Sequence, residues 1–263
     1  MSNHDHESMA PTPGEKLGHF FKRTDVRIST AMGIFFTALT AVIGGWAYPK
    51  WMPTSLSTDM RSIERLMVIF TYISAPVCGI VVAITLYTFF NRHKGDTPPP
   101  EGPAIRTRGP IVILWSVVSS VLALTAVIYG LVELNSAEAA TQEHATHAMI
   151  VEVTGNQWVW NFHYPAQDIT TDKLMLPINQ PVEFRITSAD VNHSFWPVQL
   201  GVKADANRVQ VTVADTTPNK LGTIDVKCAE LCGLYHAYME TSGAVMTRAD
   251  FDNWVTAQGG HTA

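Results

Sequence analysis

Charged side chains vanish from three stretches in the first half of the chain, Ile28 to Tyr48, Leu66 to Phe90 and Gly109 to Val132, and return between them. Each stretch matches or exceeds the roughly 20 residues an α-helix needs to cross about 30 Å of hydrocarbon. The pattern therefore predicts three spanning helices, over about 28–48, 66–90 and 109–132. One such run can be the core helix of a soluble domain, but three in close succession leave too little polar chain to cover them. Pro76 and Gly79 fall inside the second run, where a kink or a close helix neighbour is tolerated. The segment Thr97-Pro-Pro-Pro-Glu-Gly-Pro103 cannot continue a helix and reads as an extended turn. The first run follows a basic stretch, as a secretory signal does. Its n-region would be 27 residues long and no A-x-A site stands around Gly44 to Pro49, so a retained anchor is expected.

Beyond a spacer, Asn135 to His147, the period changes. Met149 to Val153, Trp158 to Phe162, Val182 to Ile186, Arg208 to Val213 and Gly222 to Val226 are β-branched or aromatic runs bounded by Gly, Pro, Asn and Asp, which is how short strands read. Many short strands in the last 115 or so residues predict a β-sandwich or Greek-key barrel, closed by a helix over Arg248 to Ala257. The expected organisation is a tail at 1–27, a membrane region at 28–134 and a folded domain at 135–263.

Charge sets the orientation. Only 16% of residues are charged, well below the roughly 25% of globular chains. Residues 1–134 carry 11 Lys plus Arg against 9 Asp plus Glu, a net of +2, whereas residues 135–263 carry 7 against 14, a net of −7. An acidic domain is a poor partner for nucleic acid, whose phosphates need neutralising. Lys16, Lys22, Arg23 and Arg27 before the first helix, and Arg92, Lys94, Arg106 and Arg108 between the second and third, are expected on the cytoplasmic side. The loop between the first two helices holds Lys50, Arg61 and Arg65, diluted by Asp59 and Glu64. This places the N-terminus in the cytoplasm and the β-domain outside it, as in a multi-pass protein of a bacterial-type plasma membrane. Trp46, Tyr48 and Trp51 fit the outer interfacial belt.

The chemistry concentrates in Cys228-Ala-Glu-Leu-Cys-Gly-Leu-Tyr-His-Ala-Tyr-Met239, with His193 upstream in Asp190-Val-Asn-His-Ser-Phe-Trp196. Two thiolates, two imidazoles and a thioether suit copper, because soft sulfur favours Cu(I) and imidazole serves both oxidation states. Hydrolytic zinc would want an open water position and usually a carboxylate or histidine set, and structural zinc would not need the methionine. The set exceeds that of a mononuclear blue-copper centre, which uses one Cys. A second thiolate allows two bridges between two metals, with one histidine terminal on each. Delocalising one electron over two coppers changes bond lengths little, which favours fast electron transfer.

The segment resembles the CuA-binding loop C-x-E-x-C-G-x-x-H-x-x-M of cytochrome c oxidase subunit II. Ser188 to Phe195 is similar to that family's first-histidine motif, Asn156-Gln-Trp-Val-Trp160 to its aromatic stretch, and Leu200 to Asp205 to its segment facing subunit I. The resemblance covers roughly Arg61 to Ala257 and implies a cupredoxin-like domain. It implies that Cys228 and Cys232 bridge a dinuclear copper, with His193 and His236 as terminal ligands, Met239 as a weak ligand and Glu230 as a ligand through its carbonyl. The Glu230 carboxylate would face a magnesium ion at subunit I. Trp158 would receive electrons from cytochrome c, and Asp190 with neighbouring acids would help dock that cationic protein. The implied partners are subunit I, other oxidase subunits, a cytochrome c-like donor and membrane lipid. Oxygen reduction coupled to proton translocation would belong to subunit I. The chain departs from the family in an additional first helix, in Val112 where many members carry a glutamate at the mouth of a proton pathway, in the missing proline-glycine between Asp205 and Arg208, in Val226 and in Glu240.

Other readings carry their own expectations. A quinol oxidase subunit II shares the fold but does not need the copper ligands. Nitrous-oxide reductase carries a similar copper loop but also a large propeller, for which this chain has no room. A copper chaperone would need an open, exchangeable site and has no use for Trp158. Cys228 and Cys232 as a simple disulfide would leave His193, His236 and Met239 unexplained. Cys78 reads as a small membrane residue, His4, His6, His144 and His147 as solvated, and Met32, Met60, Met67, Met149 and Met175 as apolar packing. Trp160 reads as core and His163 as a satisfied histidine at the end of the barrel.

Overall fold

The computed structural model describes residues 24–91, 109–144 and 147–262. Lys16, Lys22, Arg23, Arg92, Lys94, Arg106 and Arg108, the proline turn at 97–103, and His4 and His6 lie outside the described residues. The membrane-spanning helices are α1 (Thr24–Trp46), continued by a single turn at Tyr48–Trp51, α2 (Thr58–Phe90) and α3 (Gly109–His144). All three contain a stretch long and apolar enough to cross a membrane.

Two of these helices are longer than the hydrophobic pattern predicts. Helix α2 starts at Thr58 rather than near Leu66, because Ser57 caps it: the Ser57 Oγ accepts a hydrogen bond from the Met60 amide at 3.0 Å, and Asp59 sits in the first turn where negative charge favours a helix. Helix α3 runs on to His144, through most of the expected spacer. The stretch Ala137-Glu-Ala-Ala140 is made of strong helix formers, with neither Gly nor Pro to stop it. Pro76 is accommodated within α2.

The chain divides into two units, Met1–Met52 with Leu66–Pro100, and Pro53–Arg65 with Glu101–Ala263. In the first, α1 and α2 approach through small residues. A Cβ on Gly79 would stand 2.5 Å from the Thr37 backbone nitrogen, so only glycine allows that crossing, and Gly33 faces Ala83. Cys78 accepts a weak contact from Thr40 Oγ1 at 3.9 Å.

In the second unit two five-stranded sheets enclose one core. The first has the order β3-β2-β1-β5-β8, from β1 (Met149–Asn156), β2 (Val159–Tyr164), β3 (Ile169–Thr171), β5 (Val182–Ser188) and β8 (Thr212–Thr216). The second has the order β4-β10-β9-β6-β7, from β4 (Leu174–Pro177), β6 (His193–Pro197), β7 (Ala204–Ala206), β9 (Gly222–Cys228) and β10 (Glu240–Met246). Both are mixed, with β1 parallel to β5 and β10 parallel to β4. Alternate residues face inward: Val151, Val153, Trp160, Phe162, Phe184 and Ile186 from one sheet meet Phe195, Ile224 and Val226 from the other. Phe195 alone touches the rings of Trp160, Phe162 and Phe184, with centroids 5.2 to 6.2 Å apart. Helix α4 (Arg248–Ala257), capped by Thr247, lays Phe251 and Val255 on this core.

The run Arg208 to Val213 is strand only from Thr212 onward. Asn207 gives its carbonyl to the Ser188 amide and Thr187 hydroxyl, while the ladder with β5 resumes at Ile186 against Thr212, so residues 208–211 loop out and Val209 is fully exposed. Strands β4, β6, β7 and β10 carry no strong β-branched run, and β3, Ile169-Thr-Thr171, is only three residues long. The segment before α2 also belongs to this domain. Leu56 is buried in the core, its amide and carbonyl are bonded to Gln199 and Asn219, and the Ser57 hydroxyl donates to the Leu200 carbonyl. Gly201, at φ +69, lets the backbone of Met60 come within 2.7 Å of where a Cβ would stand.

Candidate metal centre

Strand β9 ends at Cys228 beside Phe195 of β6, so the cross-strand register brings the cysteine loop and His193 together. The loop from Cys228 to Met239 is closed at its base by the Cys228 amide donating to the Met239 carbonyl at 3.0 Å, and is tied to β6 by the Ala229 amide on the Ser194 carbonyl. Six donor atoms converge inside. The two sulfurs of Cys228 and Cys232 are 3.8 Å apart, His193 Nδ1 is 3.9 Å from Cys228, His236 Nδ1 is 3.6 Å from Cys232, Met239 Sδ is 3.7 Å from Cys232, and the Glu230 carbonyl is 3.2 Å from Cys228. The ligand atoms of His193, Cys228 and Cys232 all lie within 4.8 Å of one another.

These spacings fit metal ligation and not a disulfide, whose sulfurs would be about 2.05 Å apart. Two thiolates about 2.3 Å from a common metal at a tetrahedral angle stand about 3.8 Å apart. Both cysteines are free, Cys228 half-buried and Cys232 buried. Burial, with Cys228 alongside, pushes the Cys232 thiol up to about 11. The donor set is soft, as copper prefers.

His193 is held by Asp190. The imidazole Nε2 donates to Asp190 Oδ1 at 2.9 Å, which fixes the tautomer that leaves Nδ1 facing the sulfurs. The same carboxylate accepts the amides of Gln157 at 2.8 Å and Val191 at 2.6 Å. Burial raises the Asp190 pKa, but the hydrogen bonds from His193 and the two amides outweigh it and hold the carboxyl below its usual value. Asp190 thus acts first as an inward anchor.

Trp158 lies in the two-residue turn between Asn156 and Val159 that joins β1 to β2, and its ring meets Tyr235 of the cysteine loop edge-on with centroids 4.7 Å apart. The Gln157–Trp158 peptide is cis. Trp160, two residues on, is fully buried beside His193 and Phe195. Gly233 has φ +124, and a Cβ there would come within 2.9 Å of Gln157 Nε2 and 3.4 Å of the Trp158 ring, so the glycine after Cys232 lets the two segments close. Gln157, Gly233 and Tyr235 have no role in the sequence reading, although all three stand inside its motifs; their partners are distant in the chain. His163 is satisfied by the Ile169 carbonyl and the Thr170 hydroxyl, Met60 is buried, Met149 and Met175 pack on the core, and His147 is exposed.

A membrane-anchored cupredoxin-like domain with a two-cysteine, two-histidine ligand cluster is the class that fold and site define. Residues 166–245 match the family described as cytochrome C oxidase subunit II, periplasmic domain. A probable cytochrome c oxidase subunit 2 of Rickettsia bellii is 30% identical over 224 residues, covering 77% of this chain and 81% of that protein. The cytochrome c oxidase subunit 2 of a Synechocystis strain is 26% identical, covering 78% of this chain and 75% of that one. Among solved structures, the periplasmic domain of subunit II of cytochrome oxidase of Bradyrhizobium japonicum is 27% identical, with a TM-score of 0.41, over 43% of this chain and 94% of that one. The chain belongs to the cytochrome c oxidase subunit 2 family. It is a multi-pass membrane protein with a periplasmic C-terminal domain, homologous to a subunit of cytochrome c oxidase.

Proposed function

We propose that this chain is the electron-accepting subunit of a haem-copper oxidase and that Cys228, Cys232, His193, His236, Met239 and the Glu230 carbonyl hold a dinuclear copper centre. The convergence of two thiols, two imidazole Nδ1 atoms, a thioether and a carbonyl in one loop-and-strand pocket carries this reading. The bound pair of coppers supplies one-electron transfer with little change in bond lengths. The chain's own residues prepare for it. The pinned base of the cysteine loop fixes the donors before metal arrives, Asp190 aims His193, and the buried flank of Phe195 and Trp160 excludes water from one side.

Trp158 is the residue through which electrons arrive. It contacts the ligand loop through Tyr235, and the net charge of −5 on residues 147–263 attracts a cationic donor such as a cytochrome c. The exposed Glu230 side chain would meet a magnesium ion at the surface shared with subunit I, where oxygen reduction and proton translocation reside. The N-terminus is cytoplasmic in this reading. Val112 leaves the family's proton-pathway glutamate absent from α3, so that pathway would begin on another subunit.

Copper stoichiometry and electron paramagnetic resonance of the oxidised full chain test the reading. Two coppers per chain with hyperfine coupling shared over both nuclei are expected. One copper with a localised signal, or none, would overturn it.

A further inference from the structure

Gln157 is tied to both the first-histidine segment and the cysteine loop without offering a ligand. Its backbone N–H donates to Asp190 Oδ2 at 2.8 Å, and the other oxygen of that carboxylate holds His193 Nε2 at 2.9 Å. Its side-chain amide donates to the Cys232 carbonyl at 2.6 Å, across 75 residues of chain. Its neighbour in the two-residue turn is Trp158, whose ring rests against Tyr235 of the ligand loop. Gly233 is what lets the amide reach, since a Cβ there would crowd Gln157 Nε2 at 2.9 Å.

We infer that Gln157 is a positioning residue that locks the turn bearing Trp158 to both halves of the ligand set, to Cys232 directly and to His193 through Asp190. The β1–β2 turn, the first-histidine segment and the cysteine loop come from three distant parts of the sequence, and the loop makes no ladder hydrogen bond between Cys228 and Glu240. Without the amide, the Cys232 end of the loop is held to the Trp158 turn only by the edge contact of Trp158 on Tyr235 and by packing. A hydrogen bond to the carbonyl of a thiolate-bearing residue also bears on the orientation of that sulfur, as outer-shell partners do at metal sites. The inference deepens the copper reading and rests on it for its functional meaning, while its geometric half concerns the protein alone.

The test has an arm for each half, both on the full chain in detergent. In the metal-free protein, alkylation of each cysteine is followed by peptide mass spectrometry, with Cys78 as the internal reference. Gln157→Leu should raise the rate at Cys232 about fivefold, the effect of losing one neutral hydrogen bond, with Cys78 unchanged. Gln157→Asn, whose amide is one methylene too short to reach the carbonyl, should do the same if the leucine variant folds poorly. In the copper-loaded protein both variants should keep two metals per chain yet change the hyperfine pattern and the reduction potential. A role limited to the turn would move neither. Cys232 rates equal to wild type in both variants, or an unaltered spectrum and potential, would overturn the inference. A wild-type chain that binds no copper would sink the copper reading and the functional meaning drawn here, while the alkylation arm still decides whether Gln157 holds the loop.

Discussion

At the scale of single residues the site separates donors from the groups that aim them. Cys232 lies within 4 Å of Cys228, His236 and Met239, the central position expected of a bridging thiolate. Cys232→Ser should therefore abolish a delocalised copper signal in electron paramagnetic resonance, whereas an unchanged spectrum would remove the bridge. Asp190 holds the face of His193 that points away from the sulfurs, and Asp190→Ala should lower copper affinity about 10- to 100-fold in chelator competition. Trp158→Phe should slow electron uptake in stopped-flow mixing with a reduced donor while leaving the copper content intact. Loss of copper in that variant would make Trp158 structural. The proposed ligands Cys228, Cys232, His236 and Met239 were legible from their types and close spacing and His193 from its type, whereas the Glu230 carbonyl came in only with the family resemblance. The tie from Gln157 was not legible, because its partner Cys232 is 75 residues away.

At the scale of elements, the segment ahead of α2 shows how far a domain can reach beyond its own strands. Hydrophobic patterning assigns residues 49–65 to a loop between membrane helices, yet Leu56 plugs the β-core and Thr216 Oγ1 donates to Asp59 Oδ2 at 2.6 Å. Leu56→Ala should destabilise the periplasmic domain by about 2–5 kcal/mol, the usual cost of truncating a fully buried leucine. A fragment beginning at Asn135 should melt below one that also carries residues 53–65, and thermal denaturation of the two would show it. Equal melting temperatures would mean that the segment merely rests on the surface. Helix α4 was found at its expected limits because its signals are local, with a Thr cap before it and Phe251 and Val255 four apart. Strand β10 escaped notice because Ser242 and Gly243 interrupt its strand-forming residues Thr241 and Val245. It forms because Gly243 can lie against the Leu174 backbone, where a Cβ would approach the carbonyl oxygen to 2.0 Å.

For the whole molecule, charge asymmetry is the property that bears on partners. A β-domain that from residue 147 onward carries 7 Lys plus Arg against 12 Asp plus Glu, a net of −5, should attract a cationic donor over distances comparable with the Debye length, about 8 Å at physiological salt. The bimolecular rate of electron uptake should fall steeply between low and moderate ionic strength, and a salt-independent rate would indicate an uncharged or tethered donor. By itself the sequence determined the three spanning segments, the all-β character of the second half and which candidate donor side chains crowd into one loop. Those features are written in local composition and spacing: a bilayer demands about 20 apolar residues in a row, and a metal demands particular atoms. Only the tertiary structure decided that Leu56 belongs to the β-core, that residues 208–211 leave the sheet, and that Asp190 faces inward to His193. It also decided that Gln157 joins Trp158 to the cysteine loop. Each of these depends on groups far apart in the chain coming within hydrogen-bonding or van der Waals reach, a short-ranged condition that no window of sequence records.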